Sequence, residues 1–295
     1  MKITVKAAVP AAALILAAGA GTTYYLSNGN SAQNPADRVS AHSPSVEAQA
    51  ARAYVGKPED PATWRLPIEA YMPSRQQAHL VANTRDDLIS QCMDKAGYPS
   101  WKPAPDLPEI GGKTLTDWRY GIHDAALAST RGYHPAADEQ KAYDEAMEIG
   151  AVDKSGVPKE AVRACAEKAD GDVPVVQPAD IVQQISGDAF IESQKDPKVV
   201  AAFAQWSACM KSSGYSYKEP LDASDDLRFS DPHKVLKLEV ETAEADLTCR
   251  DKYDVTRVWF DAESAIQRAK IADHLKEVND AAKATKVAVA KAKST

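Results

Sequence analysis

The sequence predicts an all-α fold: a helical body of two related, disulfide-stapled helix units plus a long C-terminal helix. Three observations carry this. Cys92-Met93-Asp94-Lys95-Ala96-Gly97-Tyr98 recurs as Cys209-Met210-Lys211-Ser212-Ser213-Gly214-Tyr215, and each copy is followed by a second matched cysteine, in Cys165-Ala166-Glu167-Lys168 and Cys249-Arg250-Asp251-Lys252. Helix start and stop signals punctuate the chain. No stretch sustains the alternation of apolar and polar residues that a half-buried strand requires.

The first element is an export segment. Lys2 and Lys6 precede 20 uncharged residues, Ala7 to Leu26, with Leu14-Ile15-Leu16 as their apolar centre. Two readings stay open: a signal peptide cut near Ala18-Gly19-Ala20, or a retained anchor just long enough to span a bilayer, with Tyr24 and Tyr25 at its outer interface. In both, the positive flank leaves the rest of the chain outside the cytoplasm. Residues 27–60 read as a disordered tether, too polar and turn-rich to bury surface. A first helical unit with an aromatic loop insertion is expected over 61–175, and a second with the long C-terminal helix over 176–295.

Within the first unit, Ser74-Arg75-Gln76-Gln77 is a capping box ahead of a helix that ends at Gly97. Asp124 caps a short helix stopped by Gly132, residues 136–149 form another ending at Gly150, and Pro158 opens the helix that carries Cys165 and ends at Gly171. In the second unit Pro178 opens a helix to about Lys195. Asp196-Pro197 opens one whose stripe is Val199, Phe203, Trp206 and Met210. Pro232 opens a helix with two apolar rows, Leu236, Val240, Ala243, Leu247 and Val235, Leu238, Ala245, Cys249. The last helix runs from about Asp254 into the 280s. Trp259 and Phe260 are adjacent on it, so one belongs in the core and the other over a neighbouring element. The stretch Lys283 to Lys293 is expected to fray into solvent.

Four cysteines allow three pairings. The symmetry of the repeat favours Cys92–Cys165 and Cys209–Cys249, each worth about 4 kcal/mol on the chain-entropy estimate. A matched set of four in an exported chain argues against a catalytic thiol, and the wide spacing lacks the C-x-x-C of a compact zinc site.

The net charge of −7 argues against nucleic acid as a partner. No metal or cofactor is implied by any motif. Asp222-Ala223-Ser224-Asp225-Asp226 is acidic but departs from the calcium-loop pattern, so it reads as a solvated loop. The first-unit insertion is the best candidate binding surface, because Trp118, Arg119, Tyr120, His123, Tyr133 and His134 crowd together there with Trp101. Aromatic rings beside an arginine can stack on a sugar, a peptide or a protein. The same residues could instead pack the insertion onto the helices. Trp206, three residues before Cys209, is expected against the second bridge. His123 beside Asp124 hints at an acid–base pair, although Asp124 already has a capping role.

The segments Leu66-Pro67-Ile68-Glu69-Ala70-Tyr71-Met72-Pro73, Trp118-Arg119-Tyr120-Gly121-Ile122, Trp206-Ser207-Ala208-Cys209-Met210 and Val258-Trp259-Phe260, with Cys92-Met93, resemble a group of exported actinobacterial proteins, some labelled as secreted proteins or lipoproteins. The W-x-x-C-M-x-x-x-G-Y segment is the most specific part of the likeness, which spans roughly residues 64–280. It implies a cell-envelope location and a partnership with envelope transport systems, and supplies no catalytic residues. The chain departs from the lipoprotein label in lacking a cysteine after its apolar segment.

Together these readings predict a non-enzymatic, extracytoplasmic binding module for a protein or cell-wall partner, touching membrane only through its N-terminal segment. The alternative is a hydrolase of envelope polymers using carboxylates or His123 and His134. A weaker third reading is a sensor whose bridges respond to redox state.

Overall fold

The structure, a computed structural model, describes residues 52–104, 106–150 and 156–295. The expected export segment and residues 27–51 of the expected tether lie outside the described residues. Among the described residues ten α-helices follow one another: α1 (Arg75–Lys95), α2 (Ala125–Arg131), α3 (Ala137–Gly150), α4 (Lys159–Asp172), α5 (Asp180–Ser193), α6 (Pro197–Ser212), α7 (Pro220–Ser224), α8 (Lys237–Lys252), α9 (Val255–Asp273) and α10 (Leu275–Ser294). Short 3₁₀ turns form at Pro61–Thr63, Pro67–Tyr71 and Leu227–Phe229. No strand forms among the described residues, and one antiparallel bridge joins Tyr54 to Arg65. The fold is all-α, and among the described residues no helix is long and apolar enough to cross a membrane.

The repeated segments close α1 and α6 identically. Tyr98 N–H donates to the Met93 carbonyl at 2.9 Å and Gly97 N–H to that of Asp94 at 3.1 Å; Tyr215 and Gly214 repeat this on Met210 and Lys211 at 2.9 and 3.1 Å. Gly97 and Gly214 take φ of 91° and 94°, the left-handed position that ends a helix in a Schellman motif. Met93 and Met210 lie fully buried within these ends. One disulfide joins Cys92 on α1 to Cys165 on α4, and the other joins Cys209 on α6 to Cys249 on α8.

Packing crosses the expected boundary at residue 175. The main core takes Trp64, Leu66, Ile68, Tyr71 and Tyr120 from the first half and joins them to Val182, Ile185, Phe203, Trp206, Trp259 and Phe260 from the second. The first staple has only a small core of its own, Ile89, Met93, Trp101, Val157, Cys165 and Ala169. In return α10 packs along α1, where Val289 and Ala292 meet Val81 and Val173. A cluster so small cannot by itself offset the entropy of ordering its helices, so the first unit depends on the second for burial.

Several expectations need correction. The ordered body begins before residue 61: Tyr54 and Arg65 exchange backbone hydrogen bonds, and the Trp64 indole donates to the Lys57 carbonyl at 2.8 Å. The long last helix is two helices, parted at His274. Its end does not fray, because Ala288, Val289 and Ala292 are buried and Lys291 donates to the Gly171 carbonyl. Trp259 and Phe260 are both core. Trp259 meets Phe190 and Phe203, Phe260 meets Trp64, and Tyr120 touches both rings, so α9 is wrapped on two sides. Pro232 opens a turn, and α8 starts only at Lys237. The buried side of α8 is Glu239, Thr242, Ala243, Asp246, Leu247, Cys249 and Arg250, and Leu238 faces solvent. The acidic segment from Asp222 is no loose loop. Asp222 accepts from the Lys218 and Glu219 backbone at the start of α7, and Asp226 caps the turn at Leu227–Phe229 and pairs with Arg228.

Candidate functional site

The insertion that the sequence marks as a binding surface is a strap laid over α8 and α9. It is tied to the opening segment at one point, where the Thr114 and Thr116 hydroxyls donate to the Ala62 and Trp64 carbonyls, each at 3.0 Å. A few residues further on, Arg119 and Tyr120 turn inward. The Arg119 guanidinium makes a two-nitrogen pair with Glu263 of α9 (closest approach 2.6 Å), donates to the Ser186 carbonyl and lies 4.6 Å over the Phe190 ring. Tyr120 donates its hydroxyl to the same carboxylate at 2.8 Å. The Gln267 amide donates to Glu263 and its carbonyl accepts the Ile68 N–H, which closes the network onto the Pro67–Tyr71 turn. Burial works against the Arg119 charge, but Glu263 restores it and carries the pKa above its usual range; burial and the same carboxylate push Tyr120 well above its own.

A second network lies one helix away. Arg250 of α8, 2 % exposed, pairs with Asp246 and donates to the Tyr120 and Pro220 carbonyls. Asp246 also accepts from the Trp206 indole at 2.7 Å and the Tyr133 hydroxyl at 3.2 Å. Burial pushes the Asp246 carboxyl above its usual range, while Arg250, Trp206 and Tyr133 all favour its charged form. Gly121, at φ 107°, makes room for the arginine, since a Cβ there would stand 2.5 Å from the guanidinium carbon. Next along α8, Glu239 accepts the Tyr133 N–H at 3.0 Å and lies 3.4 Å from His134. Burial lowers the His134 pKa, opposed by Glu239.

Each of the six candidate surface residues is thereby accounted for. Arg119, Tyr120, Tyr133 and His134 are held in these two networks. Trp118 is half-buried against Gly111, whose Cβ would meet the indole at 3.2 Å. His123 pairs with Asp117 at 2.5 Å, and Asp124 caps α2 instead. Trp206 shares the main core with both Cys209 and Cys249. The structure brings these residues together but turns them inward. Their partners Glu239, Asp246, Arg250, Glu263 and Gln267 escape an apolar-stripe reading, because charged residues stand where apolar ones are sought. Their spacing was the available signal: Glu239, Ala243, Asp246 and Arg250 fall on one helical face, as do Glu263 and Gln267.

One further carboxyl is confined here. Glu69, its side chain 7 % exposed, accepts the Leu66 N–H and lies 3.8 Å from Arg65. Burial raises its pKa to about 7, against the Leu66 hydrogen bond and the Arg65 and Arg119 charges.

The open surface is found elsewhere. A cleft of about 320 Å³ separates α3 from Pro232 and His233 and is lined also by Arg131, Lys141, Asp144 and Glu148. α3 stands apart from the other helices and is secured by Glu139, which pairs with Lys113 and accepts the Gly111 N–H, and by Asp144 facing His233 at 3.7 Å. Met147 and Ile149 on it are 43 % and 64 % exposed. A smaller cleft of about 190 Å³ lies beside the first staple, between Leu88, Cys92, Lys95 and Lys168. Neither His123 nor His134 lines either cleft. Among the described residues no three metal-ligating side chains cluster.

Fold and site together define an all-helical, disulfide-stapled protein whose convergent charges bind one another. The two intrachain bridges fit an oxidising, extracytoplasmic environment. Comparison with family models, with curated proteins and with solved structures yields no match.

Proposed function

We propose that the protein is a non-enzymatic extracytoplasmic module that binds a protein or cell-wall component. Residues 7–26 deliver it to the envelope, as a cut signal or a retained anchor. The supporting observation is the inward closure of its polar groups: Arg119 on Glu263, Arg250 on Asp246 and His123 on Asp117. Such networks hold a surface in one conformation. Catalysis instead needs acid–base groups open to a substrate, whereas His123 is paired with Asp117 and His134 is buried beside Glu239, which leaves the hydrolase alternative resting on carboxylates. The resemblance to exported envelope proteins points the same way and suggests a transport system as the partner's setting.

The partner-facing element is α3. It is the helix least tied to the body, it exposes Met147 and Ile149, and it borders the larger cleft. The test is site-specific photo-crosslinking in envelope preparations, with the probe at Met147, at Ile149 and, as a control, at exposed Val200 on α6. A discrete adduct from the α3 positions and none from Val200 is expected. An adduct pattern indifferent to position removes α3 as the face. Release of soluble product from purified wall polymer by the isolated protein replaces the binding reading with the hydrolase.

A further inference from the structure

The end of the chain departs from the charge of the whole. Against a net −7, residues 281–295 hold four lysines and no acidic residue. Because α10 is helical to Ser294, those lysines have fixed directions. Lys276, Lys283, Lys286 and Lys293 recur at intervals of seven, three and seven, which places them along one side of the helix. All four are exposed, and Ala284, Val287 and Ala290 are exposed among them, Val287 to 49 %. The opposite side of α10, with Val278, Ala288, Val289 and Ala292, is buried against the body. Lys291 is directed to the Gly171 carbonyl. Two acidic residues occupy the helix: Asp280 pairs with Lys276, and Glu277 with His274.

We propose that this exposed side of α10 docks the folded body on an anionic phospholipid bilayer. Three features favour a bilayer. The basic stripe is complementary in sign to an anionic leaflet, while the rest of this acidic protein is repelled by it, so the field orients the body with α10 inward. Val287 and the alanines between the lysines suit the headgroup boundary, whereas a soluble polyanion has no use for them. The lysines are presented by a packed helix, so little conformational entropy is lost on docking. Each lysine close to such a surface strengthens binding roughly fivefold. The contact is screened by salt, since the Debye length is about 8 Å at physiological ionic strength. This inference rests on the envelope reading above and adds a membrane contact to the expected N-terminal one.

The full-length protein is mixed with vesicles of phosphatidylcholine alone or of phosphatidylcholine with phosphatidylglycerol. Its lysines are then acetylated and the rates read by mass spectrometry. Residues 7–26, with Lys2 and Lys6 before them, seat the chain on either vesicle, so it is the difference between the α10 lysines and the control lysines that reports on the body. Lys283, Lys286 and Lys293 should react several-fold more slowly on the anionic vesicles, and high salt should remove the difference. Lys141 and Lys237, 76 % and 90 % exposed on α3 and α8, should react equally on both. The triple variant Lys283→Glu, Lys286→Glu, Lys293→Glu changes only exposed side chains and should lose anionic-vesicle dependence with unchanged circular dichroism. Equal rates on the two vesicles, or equal slowing at Lys141 and Lys237, overturns the proposal. So does protection by soluble polyglycerol phosphate with none from vesicles. Cell fractionation decides the envelope reading separately: recovery in the cytoplasm with all four cysteines reduced sinks that reading whatever the vesicles report.

Discussion

The same seven-residue ending closes α1 and α6, with matching hydrogen bonds and matching left-handed glycines, yet the two ends sit in different company. Beside the first, Cys92–Cys165 tethers a small apolar cluster at the edge of the body. Beside the second, Cys209–Cys249 enters the main core, and the next residue, Arg250, is locked to Asp246 at 2 % exposure. The comparison teaches that local sequence dictates how a helix ends, while the surroundings decide what a staple on it holds together.

The sharpest way to break the comparison is to remove one charge in each half. Asp246→Ala leaves Arg250 uncompensated among buried groups and should cost about 4 kcal/mol, whereas the double change Asp246→Leu with Arg250→Met should recover most of it. In the first half, Arg85 also pairs with a carboxylate at 2.6 Å, but that partner, Asp170, is half exposed. Arg85→Ala should cost about 1 kcal/mol. Urea unfolding followed by circular dichroism measures both, and equal losses would mean that the two halves are equally buried.

The staples come next. Chain entropy alone ranks the first bridge higher, because it closes 73 residues against 40. That advantage is only about 0.5 kcal/mol. Packing should outweigh it. Serine at both Cys209 and Cys249 should lower global stability by about 3–4 kcal/mol, while serine at Cys92 and Cys165 should act mainly as faster amide exchange confined to α1 and α4. A larger global loss from the first pair would show that the entropy of the loop dominates. Melting unchanged by reductant would deny both bridges a structural role and return weight to the redox-sensing reading.

A smaller effect separates Glu69 from the other carboxyls. Its folded pKa of about 7 stands above its unfolded value near 4.5, so the folded state binds the extra proton. The contribution is therefore fully present below about pH 4.5 and is lost as pH rises through 7, amounting to at most about 3 kcal/mol. Asp246 and other carboxyls also titrate, so the difference between wild type and Glu69→Gln isolates this group. The variant should gain stability relative to wild type as pH rises from 5 to 8, read from Tm at each pH. A constant difference would place Glu69 in solvent.

The smallest expected effect is at the shared glycines. Gly97 and Gly214 have open space where a side chain would begin, so Gly97→Ala and Gly214→Ala meet only left-handed backbone strain, about 1 kcal/mol each. Matching losses would confirm that the helix ends are equivalent. Unequal ones would extend the difference between the halves to the caps themselves.

Much of this was legible in order of locality. The Ser74 capping box, the Asp124 and Asp196 caps, the Gly97 and Gly214 endings and the pairing of the cysteines each depend on a few neighbouring residues or on a visible repeat. The insertion is different. Its aromatics were visible, but Arg119 is inward only because Glu263 lies 144 residues away to receive it. The break at His274 and the docking of the last turn of α10 onto α1 were likewise hidden, since the Lys/Ala pattern there resembles that of a solvated helix.

By itself the sequence determined the helical class, the helix ends and the two bridges, because caps, periodicity and cysteine symmetry act through short-range hydrogen bonds and covalent chemistry. Only the tertiary structure decided which polar residues are inside and which half lends its core to the other. A buried charge is stable only beside a partner, and the chain order does not say where that partner will be.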